Sequence, residues 1–261
     1  MSADAASDRM VVRGIELEVV RRGAGRPLML LHGFRTIDPR APFLDLLAAQ
    51  VDVIAPSHPG FGASARPDGF ETIYDLTHFY LDLLEALPQP RVTVVGFSFG
   101  GWLAAELAAA CCHRIEKLVL VDALGIKLGD RETVDILDIF NTAPAEVTRR
   151  RWHDPARHAP DHDAMSDAEL ATVARNWESL SLYGWHPYMY NPRLAYWLGR
   201  IAVPTLVLWG ESDGIVPVPY GRAYAGLIPG ARFVPIARAG HHPELEQPEI
   251  FARHVLDFLK D

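Results

Sequence analysis

Three residues far apart in the chain have types that could work together on a carbonyl or similar electrophile: Ser98, Asp213 and His241. Ser98 lies in Gly96-Phe97-Ser98-Phe99-Gly100, after the apolar run Val92, Val94, Val95 and before Gly101-Trp102-Leu103-Ala104-Ala105-Glu106. That order reads as a strand, a glycine turn and a helix. A serine at such a turn can be held in a strained conformation with its hydroxyl above the sheet. A hydroxyl is a poor nucleophile near neutral pH, so it needs a base, and the base needs an orienting acid. Asp213 follows the apolar segment Thr205–Trp209 in Gly210-Glu211-Ser212-Asp213-Gly214. His241 follows Arg232–Ile236 in Ala239-Gly240-His241-His242-Pro243. Groups just beyond the carboxyl ends of parallel strands converge on one edge of the sheet, whatever their separation in sequence.

The elements that must position these residues follow from periodicity. Val11–Glu16 and Leu17–Arg22 are expected to form two short strands. Pro27–Leu31 and Val51–Ala55 are continuous apolar strands, and Pro42–Ala49 is a helix. Thr72–Leu87 carries apolar residues at helical spacing and stops at Pro88. After Ser98 and its helix comes a further strand, Lys117–Val121. Apolar strands alternating with helices indicate a parallel sheet covered on both faces. From Gly125 to Leu198 helical segments dominate, broken by prolines and rich in tryptophan and tyrosine. At Pro204 the alternation resumes, with Thr205–Trp209 and Arg232–Ile236 as strands and Val218–Leu227 and Gln247–Leu259 as helices. The expected organisation is an α/β core formed by residues 1–124 and 199–261, with a helical cap over 125–198 inserted after the sixth strand.

With 261 residues, about half of them apolar, the chain can build one large core. A net charge of −8 gives no general attraction for nucleic acid or anionic membranes, and no apolar run reaches the length of a membrane span. The first eight residues lack the order of a signal peptide, and the adjacent Cys111 and Cys112 read as reduced thiols. The expectation is a cytoplasmic monomer or homodimer acting on a small molecule.

Five motifs in order give the chain a clear resemblance to the α/β-hydrolase superfamily, in its cap-containing group, over nearly the whole length. Leu31-His32-Gly33-Phe34 resembles the oxyanion loop, and His58-Pro59-Gly60-Phe61-Gly62-Ala63-Ser64 the turn after the fourth strand. Gly96–Gly100 resembles the nucleophile elbow. Trp209–Asp213 and Gly240–Pro248 resemble the acid and histidine loops. The resemblance implies a mostly parallel twisted sheet of about eight strands. It also implies Ser98 as nucleophile, His241 as base and Asp213 as orienting acid, with the backbone N–H groups of Phe34 and Phe99 around the oxyanion and no cofactor. One departure is Ser57, where an acidic residue is common; it is read as a variation in a turn.

The implied activity is cleavage of a carboxylic ester, thioester or lactone of a small to medium apolar substrate. The alternatives are a carbon–carbon hydrolase of the meta-cleavage-product type and a small-molecule receptor that keeps the pocket. Meta-cleavage hydrolases often carry tryptophan directly after the histidine, where this chain has His242. Asp122, after Leu118–Val121, is the rival acid. Trp152, Trp177, Trp185 and Tyr188 are candidate pocket residues, set against a role in the cap's own core. His32 is expected to brace the oxyanion loop, and His242 to pack or lie exposed. Arg149-Arg150-Arg151 reads as a wet helix face, and Arg35 as a surface residue that could meet an anion. The histidines and aspartates from His153 to Asp163 include metal-ligand types, but their spacing fits no metal pattern, so no metal is assigned.

Overall fold

The computed structural model describes residues 8–130 and 132–261. The reading of residues 1–7 as lacking a leader lies outside them, as does that of the Cys112 side chain; Cys111 is a free thiol. A two-residue turn at Arg13-Gly14, with φ of 51° and 80°, joins β1 (Asp8–Val12) to β2 (Ile15–Gly23). Positive φ at both turn positions matches the twist of a tight hairpin. The first strand therefore ends at Val12 and not at Glu16, because the turn conformation outranks the apolar pattern used to place it.

Next come β3 (Pro27–Leu31), α1 (Pro42–Ala48), β4 (Asp52–Pro56), α2 (Ile73–Ala86) and β5 (Val92–Phe97). Then follow α3 (Phe99–Ala110) and β6 (Ile115–Val121). The eight strands, completed by β7 (Thr205–Gly210) and β8 (Arg232–Ile236), form one sheet in the order β1-β2-β4-β3-β5-β6-β7-β8. From β4 to β8 the pairing is parallel; β1 and β2 run antiparallel at one edge. Alternation along the strands splits the core. Met29, Leu31, Val92 and Val94 face α2 and α3, while Leu28, Leu30, Val95 and Phe97 face α1 and the last helix.

Between β6 and β7 lie α4 (Pro144–Arg151), α5 (Pro155–His158), α6 (Asp167–Gly184) and α7 (Leu194–Trp197). Ser166 and Glu169 close a capping box at the start of α6. This helix docks on the turn after β4. Ser179 Oγ donates to Gly60 O at 2.7 Å, Tyr183 Oη to Pro59 O at 3.0 Å, and Arg175 donates to Gly60 O and Ser64 O. The Ser57 hydroxyl donates to Glu18 in the same corner, at 3.1 Å. The chain closes with α8 (Val218–Gly226), the short α9 (Pro243–Glu246), which periodicity did not suggest, and α10 (Pro248–Lys260). Among the described residues no helix is long and apolar enough to cross a membrane.

Candidate active site

The turn from β5 into α3 holds Ser98 at φ 52° and ψ −115°, a region non-glycine residues rarely occupy. Surrounding contacts over-determine it: Ser98 N donates to Val121 O at 2.9 Å, and Leu124 and Gly101 donate to Ser98 O. A Cβ at Gly100 would collide with the carbonyl of Leu31, and one at Gly33 would lie 3.0 Å from Ser98 Cβ. Glycine at these two positions lets the loop after β3 press against the serine.

The loops after β7 and β8 bring in the other two residues. Ser98 Oγ lies 2.8 Å from His241 Nε2, and His241 Nδ1 lies 2.8 Å from Asp213 Oδ2. Asp213 Oδ1 accepts from the N–H groups of Ile215 and Val216 at 2.8 and 3.0 Å. All three residues are buried. The consistent proton arrangement has Nδ1–H donating to Asp213, leaving Nε2 free to accept the Ser98 proton. Phe34 and Phe99 line the pocket over Ser98. Among the described hydrogen bonds, neither of their N–H groups is taken by a protein acceptor.

The segment between β6 and β7 is hydrogen-bonded to both loops. Arg151 O accepts from His241 N at 2.7 Å, and Arg150 O accepts from Gly214 N at 3.0 Å. The Glu246 carboxylate accepts from Gly240 N at 2.5 Å and from His153 N and Asp154 N at 2.9 and 3.1 Å. Sequence reasoning missed this role of Glu246, since nothing local marks an acidic residue as the receiver of amides 93 and 92 residues away in the chain.

Asp122, the rival acid, lies beside Asp213, and it is Asp213 that His241 Nδ1 meets. Asp122 Oδ1 accepts from Gly210 N at 2.9 Å. His32 lies beneath the loop after β3: Nδ1 donates to Gly33 O at 2.7 Å and Nε2 accepts from His58 N at 2.8 Å. Burial drives His32 well below the usual histidine range and brings His58 down to about 4. His242 is buried against the Trp152 ring, 4.7 Å between centroids, and shares a hydrogen bond with Glu244. Burial pushes the Glu244 carboxyl up to about 7.

Of the four candidate pocket aromatics, only Tyr188 lines the small space over Ser98, of roughly 30 Å³. Trp152 and Trp177 instead line an adjoining cavity of roughly 290 Å³ under the cap, and Phe34, Ile139 and Arg151 border both spaces. Trp185 is 57% exposed and meets the Phe140 ring edge-on, at 5.3 Å between centroids. The stretch from His153 to Asp163 brings no three ligand atoms together among the described residues.

Arg151 departs most from its expectation. Arg149 and Arg150 pair with Glu146 on the wet side of α4. Arg151 turns inward, its Nε buried without a partner and its guanidinium 5.8 Å from the Phe34 ring centre. Burial and then the nearby Arg35 charge lower it to about 10, so it remains cationic at neutral pH. Val147, four residues earlier and buried, carried the signal: i and i+4 share a helix face. Arg35 is half-buried between the outer cleft and the same under-cap cavity.

The fold and this arrangement define a hydrolase class, and comparison with known proteins gives the same class. Residues 28–254 match the model of the alpha/beta hydrolase family, and the chain belongs to that family. It is 30% identical over 284 aligned positions to a 2-hydroxy-6-oxo-2,4-heptadienoate hydrolase of Pseudomonas putida, covering 99% of this chain and 98% of that protein. Among solved structures, a meta-cleavage product hydrolase from Pseudomonas fluorescens IP01 superposes with a TM-score of 0.78 at 22% identity, over 98% of each chain. A bromoperoxidase from Bacillus anthracis superposes with a TM-score of 0.79 at 24% identity, over 97% of this chain and 100% of that one. The structural likenesses carry the fold; their differing reactions show that the fold alone does not choose the chemistry.

Proposed function

We propose that the protein is a serine hydrolase that cleaves a carbon–carbon bond beside a ketone in an anionic, conjugated substrate, of the kind named for its Pseudomonas putida relative, a 2-hydroxy-6-oxo-2,4-heptadienoate hydrolase. Arg151 is the observation that carries this reading over that of a neutral ester. A charged guanidinium with an unpaired Nε borders an otherwise largely apolar pocket beside Ser98, and a buried charge calls for a counter-charge. A substrate carboxylate supplies one.

In this reading Ser98 Oγ attacks the ketone carbon as its proton passes to His241 Nε2, and Asp213 stabilises the imidazolium. The Phe34 and Phe99 amides meet the negative oxygen that develops only along this path. Collapse breaks the carbon–carbon bond. For the released electron pair to be accepted, the 2-hydroxy-diene must first tautomerise to its 2-oxo-3-ene form, losing the enol proton and gaining one at the carbon beside the ketone. The pair then spreads into the 2-oxo-3-ene half as a dienolate, which takes the proton from His241. Water, deprotonated by His241, then hydrolyses the acyl ester on Ser98, and the carboxylic acid leaves. Ester hydrolysis uses the same steps with an alkoxide leaving group. It is the second reading, favoured by His242 where tryptophan is frequent.

The test compares kcat/KM for 2-hydroxy-6-oxo-2,4-heptadienoate with that for a p-nitrophenyl ester series. Preferred cleavage of the dienoate is expected. Ester turnover without dienoate cleavage overturns the carbon–carbon reading in favour of the second. A folded protein that turns over neither, and whose Ser98 resists a phosphonate probe, removes both.

A further inference from the structure

Beside the Ser98–His241–Asp213 chain lies a second carboxyl group that the proposed reaction does not use. Asp122 is the first residue after β6, fully buried and held at φ 44°. Oxygens of Asp122 and Asp213 and a ring nitrogen of His241 lie within 4.8 Å of one another. The two acids are unequally supplied with donors. Asp213 receives two backbone N–H groups and the imidazole, whereas Asp122 receives one N–H, from Gly210, and its Oδ2 is buried with no donor.

We propose that Asp122 is a positioning residue for Asp213: its carboxyl is protonated and donates a hydrogen bond to the Asp213 carboxylate, so that two acids sharing one proton hold His241. The proposal rests on Asp213 and His241 acting as described above. Two carboxylates this close in an apolar interior cannot both be ionised without a cation between them. The better-solvated one keeps the charge, and that is Asp213. The groups that face Asp122 point the same way. Burial, then the charge of Asp213, then the hydrogen bond to Asp213 and the charge of Glu244 raise Asp122 well above the usual carboxylate range, and only the Gly210 amide opposes them. Oδ2–H then has an acceptor, which resolves an otherwise orphaned buried oxygen.

The consequence is mechanical and electrostatic. The Gly210 amide lies at the end of β7, three residues before Asp213, so Asp122 fixes the start of the acid loop. Its O–H also spreads part of the Asp213 charge, so the acid orients His241 without taking its proton.

The test uses the full chain as Asp122→Asn and Asp122→Ala. The asparagine keeps an acceptor for Gly210 N and an N–H donor for Asp213, with no charge. Three readouts apply: the infrared band of a protonated carboxyl at pH 8, the NMR titration of isotope-labelled His241, and the phosphonate labelling rate of Ser98 against pH. Wild-type protein should show the band and Asp122→Asn should lose it. Asp122→Asn should keep the His241 titration and label Ser98 within about threefold of wild type. Asp122→Ala should label about ten- to a hundredfold slower, the scale of a lost hydrogen bond to a charged group, with the His241 titration moved to higher pH because Asp213 is left more basic.

No band difference, or a His241 titration that falls in Asp122→Asn, means Asp122 is an anion and overturns the proposal. An Asp122→Ala protein matching wild type in rate and titration overturns it too. Should Asp122→Ala not fold, the band and the asparagine variant still decide. A wild-type serine that never labels counts against the proposed function, while the band and the titration still report on Asp122.

Discussion

Two sets of buried polar groups flank Ser98, and they are built differently. Under the loop after β3, His32, His58 and Tyr80 form a closed network. The Tyr80 hydroxyl donates to His58 Nδ1 at 2.6 Å, His58 Nε2 donates to His32 O at 2.9 Å, and His32 uses both ring nitrogens. On the acid side, Asp122 Oδ2, Glu244 Oε2 and Arg151 Nε are buried without partners. A satisfied network fixes one geometry and has no valence left to offer. An unsatisfied one is costly unless a proton, a substrate or a water completes it. The histidine side therefore reads as scaffold for the glycine-tight loop, and in the proposed reaction the acid side is where protons move and the substrate binds.

Replacing Ser98 breaks the comparison most severely. Ser98→Ala should reduce turnover by about 10⁶-fold, the scale seen when a triad nucleophile is removed, with thermal stability close to wild type. An active, folded variant would remove the nucleophile from the scheme. Asp213→Asn should cost about 10⁴-fold through the wrong imidazole tautomer, measured as kcat at saturating substrate. The opposite ranking of Asp213→Asn and Asp122→Asn would exchange the roles of the two acids.

Arg151→Met sharpens the reading of the open side. It should lower kcat/KM for the dienoate by about ten- to a hundredfold, as loss of a charged hydrogen-bonding partner does. Hydrolysis of a neutral p-nitrophenyl ester should change little. Equal losses on both substrates would make Arg151 a prop for His241 through its backbone, and not a carboxylate anchor.

The smallest effect tests the closed side. His58 is neutral when folded, with its value near 4 against 6.5 unfolded. The unfolded chain therefore binds the extra proton first, and this contribution to stability, complete above about pH 6.5, is lost as pH falls towards 4. Melting temperature followed over that range should drop in the wild type and drop less in His58→Gln, whose amide can still accept from Tyr80 and donate to His32. Identical pH slopes would place the acid sensitivity elsewhere.

Much of the site was legible because it is written in local rules. The strand–glycine–serine–glycine–helix turn needs small residues at fixed offsets, and the acid and histidine loops follow apolar strands whose direction is set by the alternating pattern. The helix over 73–86 showed in its period and in the stop at Pro88; the capping box of Thr72 with Asp75 became visible only in the structure. Less legible were residues whose meaning depends on what lies opposite. Arg151 shares a sequence run with two wet arginines and differs only in facing the core. Trp185 has the composition of a pocket residue and the position of a surface one. Glu246 is an ordinary acid until the amides of the distant His153 and Asp154 join that of nearby Gly240 on its carboxylate.

By itself, then, the sequence determined the layered α/β architecture and the order in which serine, acid and histidine reach one edge of the sheet, because strand period, turn chemistry and helix capping act over a few residues. Only the tertiary structure decided which aromatics border Ser98, that Asp122 sits beside Asp213, and that one arginine of three turns inward with its Nε buried. Those outcomes depend on the packing of the segment between β6 and β7 against loops distant in the chain, such as the turn at Pro59 and Gly60, where burial and charge are properties of the neighbourhood and not of the residue.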